Sequence, residues 1–257
     1  MSTRPAVLCI SGHDPSGGAG IHADIESCAA LGTHALSVIT SHTVQDTQDV
    51  RRVTPVPPIL LAEQIEVLAA DCEISAVKVG LVGDAEQIKP IAAALTRLRR
   101  PAVIDPVLRA GGGRNLVGAL LRAAMIEQLL PLADLVTPNL GEARVLANCA
   151  GADADTCAAR LLELGVRNVL ITAGDEPGDA VSNAWYTTAA APVRYTWPRI
   201  TDRFHGAGCT LASAIAALLA QGSNLADAIE QGQRYAQQSL ARAYAVGHGR
   251  KIPGRIP

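Results

Sequence analysis

Short uninterrupted apolar runs alternate along this chain with longer stretches in which apolar residues return every third or fourth position. A run such as Val7-Leu8-Cys9-Ile10 is too short for a helix and carries no charge, which predicts a strand covered on both faces. Ile21 to Leu31 has the helical period and is followed by Gly32, a residue suited to the left-handed turn that closes a helix. The same reading gives strands at Leu36 to Thr40, Ala76 to Val79, Ala102 to Ile104, Leu135 to Thr137 and Val169 to Thr172. Between them it predicts helices at Pro58 to Ala70, Ala85 to Leu98, Val117 to Leu130, Gly141 to Asn148 and Asp153 to Leu164. Ala184 to Thr188 and Val193 to Trp197 predict a hairpin at a sheet edge. One further helix opens near Cys209 and stops at Gly222, and another runs from about Asn224 to Tyr244. Strands and helices alternating in this order predict an α/β fold, with a mainly parallel central sheet flanked by helices on both faces.

Composition narrows the class. With 257 residues, 49% of them hydrophobic and 18% charged, the chain can fill a large core, and no linker or low-complexity run divides it, so one domain over 1–257 is expected. A formal net charge of −2, only 3% aromatic residues and no basic run longer than a pair argue against a nucleic-acid surface. Six cysteines, at 9, 28, 72, 149, 157 and 209, show neither CxxC pairs nor metal-ligand spacing, as in a reduced cytosol. No window approaches the roughly 18 apolar residues of a membrane span, and the apolar run before His13 is too short for a signal peptide. The expectation is a cytoplasmic protein with a small-molecule partner and no membrane or nucleic-acid partner.

The unusual residues fall after the predicted strands. Ser11 to Gly20 follows the first, Gln45 and Asp46 the second, Gly80-Leu81 the third, Asp105-Pro106-Val107 the fourth, Pro138-Asn139 the fifth and Ala173-Gly174 the sixth. In an open parallel sheet these positions share the carboxyl edge, where ligands bind. The first of these loops lacks the Gly-Lys-Ser/Thr ending of a P-loop and the glycine spacing of a dinucleotide fingerprint. It suits close backbone approach to a ligand, or a pair of turns at Asp14-Pro15 and Ser16-Gly17.

His205-Gly206-Ala207-Gly208-Cys209-Thr210 opens the apolar helix that starts near Cys209. Glycines and a helix N-terminus together describe an anion hole, and a cysteine at the helix mouth is expected to favour thiolate, which suits a base or nucleophile. The plainer reading is a turn followed by a small buried thiol.

These segments in order, from Ser11-Gly12-His13-Asp14-Pro15-Ser16-Gly17-Gly18-Ala19-Gly20 through Thr43-Val44-Gln45-Asp46, Val77-Lys78-Val79-Gly80-Leu81, Asp105-Pro106-Val107 and Thr137-Pro138-Asn139-Leu140-Gly141-Glu142 to His205-Gly206-Ala207-Gly208-Cys209, resemble the hydroxymethylpyrimidine/phosphomethylpyrimidine kinases of thiamine biosynthesis. That family has a three-layer ribokinase-like fold. The resemblance implies ATP and Mg²⁺ as cofactors, a pyrimidine alcohol and its monophosphate as acceptors, and a homodimer. It implies phosphoryl oxygens held at Gly206, Ala207 and Gly208, with Cys209 as general base. It places the pyrimidine at Gln45, in a pocket completed by Gly12, Asp24, Leu81 and Val107. Asn139 and Glu142 would arrange phosphates and a Mg²⁺ water, Asp105 would stand on the metal side with Glu142, and Thr172 and Gly174 would border the nucleotide. Asp24 and Glu142 could instead be ordinary helix acids, and Asp105 a strand-terminating aspartate.

The chain departs from the family in three places. Thr172-Ala173-Gly174-Asp175 stands where many members have Lys-Gly-Gly-His, which leaves Arg109 or Lys78 as substitutes for the lysine. Ala207 replaces a frequent threonine, and the segment after Gly249 is dissimilar. A pyridoxal or sugar kinase of the same fold, or a pyrimidine-binding protein without catalysis, are the alternatives.

Overall fold

Strand β1 (Ala6–His13) lies inside a sheet of nine strands among the described residues, with every residue except His13 buried. The computed structural model describes residues 4–108 and 116–256, so the predicted Gly111-Gly112-Gly113 loop and Arg109 lie outside the described residues. The other strands are β2 (His34–Gln45), β3 (Val50–Pro55), β4 (Ile74–Val79), β5 (Ala102–Ile104), β6 (Leu135–Val136), β7 (Asn168–Ile171), β8 (Ala180–Thr187) and β9 (Val193–Pro198). Their order is β3-β2-β1-β4-β5-β6-β7-β8-β9. The six strands from β2 to β7 in that order are parallel, while β3 at one edge and the β8–β9 hairpin at the other are antiparallel.

Alternation along β1 divides the core in two. Val7 and Cys9 face the layer of α1 (Gly20–Ala30), α7 (Ala207–Ala220) and α8 (Leu225–Ala241), whereas Leu8 and Ile10 face the opposite layer. That second layer contains α2 (Pro58–Asp71), α3 (Ile88–Leu98), α4 (Ala119–Ala124), α5 (Leu140–Leu146) and α6 (Ala154–Glu163). Helix α7 is buried continuously from Cys209 to Leu219, which explains why its sequence is apolar on every side.

Several boundaries differ from the sequence reading. Strands β1 and β2 extend further, so Gly12 and Gln45 lie within strand ends instead of in loops. Strand β3 was not expected from the pattern, because Arg51 and Arg52 break the alternation; both are exposed on an edge strand, where charge is tolerated. The helix expected over Val117 to Leu130 is α-helical only through α4, widens to a π turn at Met125–Leu129 and ends in a 3₁₀ turn containing Pro131. The chain runs from β1 through α1 to β2 on one side and from β3 through α2 on the opposite face to β4 on the other, so a crevice opens at the carboxyl end of β1.

Candidate functional site

A cavity of ≈ 330 Å³ occupies that crevice. Gly12, Gln45, Leu81, Asp105, Asn139 and Thr172 reach it from the carboxyl ends of six different strands, as the shared-edge argument requires. Val107, Glu142 and Gly174 also line it, and so do Gly206, Ala207, Gly208 and Cys209 at the start of α7. A second cavity of ≈ 820 Å³ adjoins it and shares the wall formed by Asn139, Glu142, Gly174 and Ala207.

The two glycine-rich segments are joined across the mouth of this space. The buried Asp14 carboxylate accepts hydrogen bonds from Ser16 N at 2.8 Å, Ser16 Oγ at 2.7 Å and Ala19 N at 2.8 Å, and lies 2.7 Å from His205 Nε2. Burial alone would raise its pKa, but hydrogen bonds from His205, Gln45 and Ser16 outweigh it and hold the carboxyl below the usual range. Gly206 follows with φ +91°, and a Cβ there would collide with the Gly18 carbonyl, so only glycine lets the two loops pass. No side chain caps α7, which leaves the amides of its first turn directed at the cavity mouth.

A residue far along the chain fixes this meeting point. The Arg255 side chain is fully buried; it donates from Nε to Thr210 Oγ1 at 2.8 Å, from Nη1 to Glu26 Oε2 at 2.9 Å, and from Nη2 to the Gly18 carbonyl. Thr210 Oγ1 in turn donates to the Gly206 carbonyl at 2.7 Å. The segment dissimilar to the family is thus packed against the site, with His205 N bonded to Lys251 O at 2.9 Å. Neither Arg255 nor the Asp14–His205 contact was assigned a role from sequence.

Cys209 corrects one expectation. It is 8% exposed, and burial pushes its thiol up to about 12, more than Lys78 pulls it down, with Asp105 and Asp24 adding to the rise. The resting group is a thiol, not the thiolate expected at a helix start. Its S–H faces Asp105, whose own pKa burial raises while Lys78 and the Cys209 hydrogen bond lower it.

Asp24 does not complete the pocket. It is wholly buried beneath it, 2.7 Å from Lys78 Nζ and accepting from Ser213 Oγ at 2.6 Å, so it is neither a substrate ligand nor a helix-surface charge. Lys78 also donates to Ser11 Oγ at 2.9 Å. Sealed in this network, Lys78 cannot reach a nucleotide, which removes it as the substitute for the lysine missing at Thr172.

Asn139 and Glu142 form a capping box at the start of α5: Glu142 N donates to Asn139 Oδ1 at 2.8 Å and Asn139 N to Glu142 Oε2 at 3.0 Å. Glu142 is therefore a first-turn acid and a cavity residue at once. Burial, then the charge of Asp105, push its pKa up to about 8. Thr172 pairs with Asn139 across the β6 and β7 ends, and the next residue, Ala173, donates to Asn183 Oδ1 at 3.0 Å. Among the described residues no group of three or more His, Cys, Asp or Glu side chains forms a ready metal cluster, and no helix is long and apolar enough to cross a membrane.

Comparison with known proteins places these features in context. Residues 14–253 match the phosphomethylpyrimidine kinase family. The chain is 41% identical over 252 residues to a thiamine biosynthesis bifunctional protein of Geobacter sulfurreducens, covering 96% of this chain but only 51% of that relative. It is 38% identical over 250 residues to the hydroxymethylpyrimidine/phosphomethylpyrimidine kinase of Rhizobium meliloti, covering 95% of this chain and 94% of the relative. The crystal structure of an ADP complex of Bacillus subtilis pyridoxal kinase superposes with a TM-score of 0.91 at 25% identity, covering 98% of each chain. The ribokinase-like α/β fold expected from the motifs is the fold observed.

Proposed function

The chain belongs to the phosphomethylpyrimidine kinase family, and we propose that it transfers the γ-phosphoryl group of ATP to 4-amino-5-hydroxymethyl-2-methylpyrimidine and then to the resulting monophosphate. The observation that carries this reading is the single cavity in which Gln45, Leu81 and Val107 face the uncapped start of α7 and Cys209. An amide beside apolar walls suits an aminopyrimidine, since Gln45 offers both a donor and an acceptor to the ring edge while Leu81 and Val107 cover its faces. The amides of Ala207, Gly208 and Cys209 would hold the oxygens of the phosphoryl group in transit, which is most of what this reaction asks of a protein.

In the first transfer the bond from phosphorus to the ADP oxygen breaks as the bond to the hydroxymethyl oxygen forms. The hydroxyl proton passes to Cys209 Sγ while the thiol's own proton moves to Asp105. This pairing lets a thiol that is neutral at rest act as a base.

Glu142 would hold Mg²⁺ together with phosphate oxygens and water, with Asp105 beside it on the metal side and free to take the Cys209 proton. The charge of Asp105 raises the proton affinity of Glu142 at one cavity wall, and a cation would relieve that repulsion. The ion would supply neutralisation of phosphate charge. The motif resemblance implies a homodimer, and the scattered cysteines suit a cytoplasmic setting.

The test is ADP release with Mg-ATP and either pyrimidine acceptor, with products identified by mass. A monophosphate from the alcohol and a diphosphate from the monophosphate are expected. Because the fold is also that of a pyridoxal kinase, pyridoxal is the second acceptor to assay, and a higher kcat/KM on it would replace the pyrimidine reading.

A further inference from the structure

Three arginines line the larger cavity among its described residues, Arg199, Arg203 and Arg250. Arg199 is committed to the protein, donating to the carbonyls of Gly174 at 2.8 Å, Glu176 at 2.6 Å and Gly178 at 2.5 Å. The nearby ammonium of Lys251 pairs with Asp202 at 2.5 Å. Arg203 and Arg250 remain, and among the described residues neither has a carboxylate within ion-pair distance. Arg250 alone of the three also lines the smaller cavity, so it stands where the two spaces meet, on the wall shared with Ala207 and Glu142.

Both its backbone and its side chain are tied to the turn between β2 and β3. Arg250 N donates to Thr47 O at 2.9 Å, Arg250 Nη2 to Gln48 O at 2.9 Å, and Gly249 N to Thr47 Oγ1 at 3.0 Å. A Cβ at Gly249 would collide with the Thr47 carbonyl, so glycine is what lets the segment dock against the turn between β2 and β3. That turn follows Gln45 directly, which fixes the guanidinium relative to the pyrimidine side of the cavity. Nε and Nη1 of Arg250 find no acceptor among the described residues. Asp49, Asp175 and Arg203 are the charged groups that face it. A junction bordered by Asp175 would repel polyphosphate, and the neighbouring guanidiniums of Arg250 and Arg203 offset that charge.

We propose that Arg250, with Arg203 beside it, is a phosphate-binding site at the junction of the two cavities, supplying the cation that the chain lacks at Thr172. The site takes a phosphate group, either that of the monophosphate acceptor or the phosphate chain of the nucleotide. The inference rests on the kinase reading, and the experiment separates the two.

Arg250→Gln and Arg250→Lys are compared with the unaltered protein for KM on ATP, on the pyrimidine alcohol and on its monophosphate, with melting temperatures as a folding control. Loss of a charge-assisted contact corresponds to a KM increase of about tenfold or more for Arg250→Gln, partly restored in Arg250→Lys. If the acceptor phosphate is the ligand, KM rises for the monophosphate and not for the alcohol; if the nucleotide is, KM for ATP rises with both. KM values within twofold of the unaltered protein on all three substrates overturn the proposal while leaving the kinase reading intact. Calorimetric binding of tripolyphosphate, which needs no acceptor, is weakened in Arg250→Gln even if neither pyrimidine is a substrate; equal binding overturns the site on its own.

Discussion

Asp14 and His205 are 191 positions apart in the chain and 2.7 Å apart in the fold. Their contact sets the loop after β1 against the turn that opens α7. Because the Asp14 carboxyl is held below its usual range, it contributes stability that is fully present above the unfolded value near 4 and lost as pH falls through the folded value. Asp14→Asn is expected to lower stability at pH 7 by roughly 1–3 kcal/mol. In thermal melts, the gap from the unaltered protein should close below about pH 4.

Cys209 offers a sharper test, because the two proposed acceptors differ in what they ask of a base. The alcohol must lose a proton, whereas a phosphate oxygen is already ionised near pH 7. Cys209→Ala should therefore slow the first transfer by about 10²–10⁴-fold with little change in KM, and slow the second far less. Equal losses in both steps would assign Cys209 to geometry alone. At neutral pH the buried thiol should also resist iodoacetamide.

Glu142, raised to about 8, keeps its proton at pH 7 in the free protein. A cation needs the carboxylate, so binding of Mg-ATP should release a proton and strengthen by up to about tenfold per pH unit until about pH 8. Titration calorimetry in buffers of different ionisation enthalpy measures that proton, and Glu142→Gln should abolish it. In the free protein the sign is opposite: stability falls as pH climbs from the ordinary carboxyl range through about 8.

Lys78 and Asp24 are both fully buried, and removing one leaves the other charge unpaired. Lys78→Met should cost about 3–5 kcal/mol in denaturant melts, and the double variant Lys78→Met/Asp24→Leu should recover much of it. A double variant as unstable as the single one would show that Ser11 and Ser213 need the charges in place.

Arg255→Ala should lower stability by about 3 kcal/mol, because the Gly18 carbonyl and Thr210 lose a buried donor. Added guanidinium should restore part of kcat if the lost function is the spacing of the two glycine segments. Recovery of the melting temperature without recovery of kcat would exclude that role.

The order of elements and the strand-end positions of Gly12, Leu81, Asp105 and Asn139 were legible because apolar periodicity and glycine or proline punctuation are local properties. What escaped depended on distant partners. Asp24 reads as a pocket acid until Lys78, 54 positions later, closes on it. The charge state of Cys209 follows from burial beside Asp105, which outweighs a helix start visible in the sequence. Arg255 sits in a segment without periodicity, so nothing local marks it as the anchor of Gly18. Strand β3 was hidden because its exposed arginines follow the needs of a sheet edge instead of a core.

The link between Gly18 and Arg255 also has a meaning in time. A ribosome makes the first glycine loop 237 residues before its anchor. The parallel strands can pair while translation continues, but the mouth of the cavity acquires its final shape only after Arg255 has emerged. A polypeptide halted before that point would have its parallel strands but would lack the buried donor that holds the Gly18 carbonyl against the start of α7.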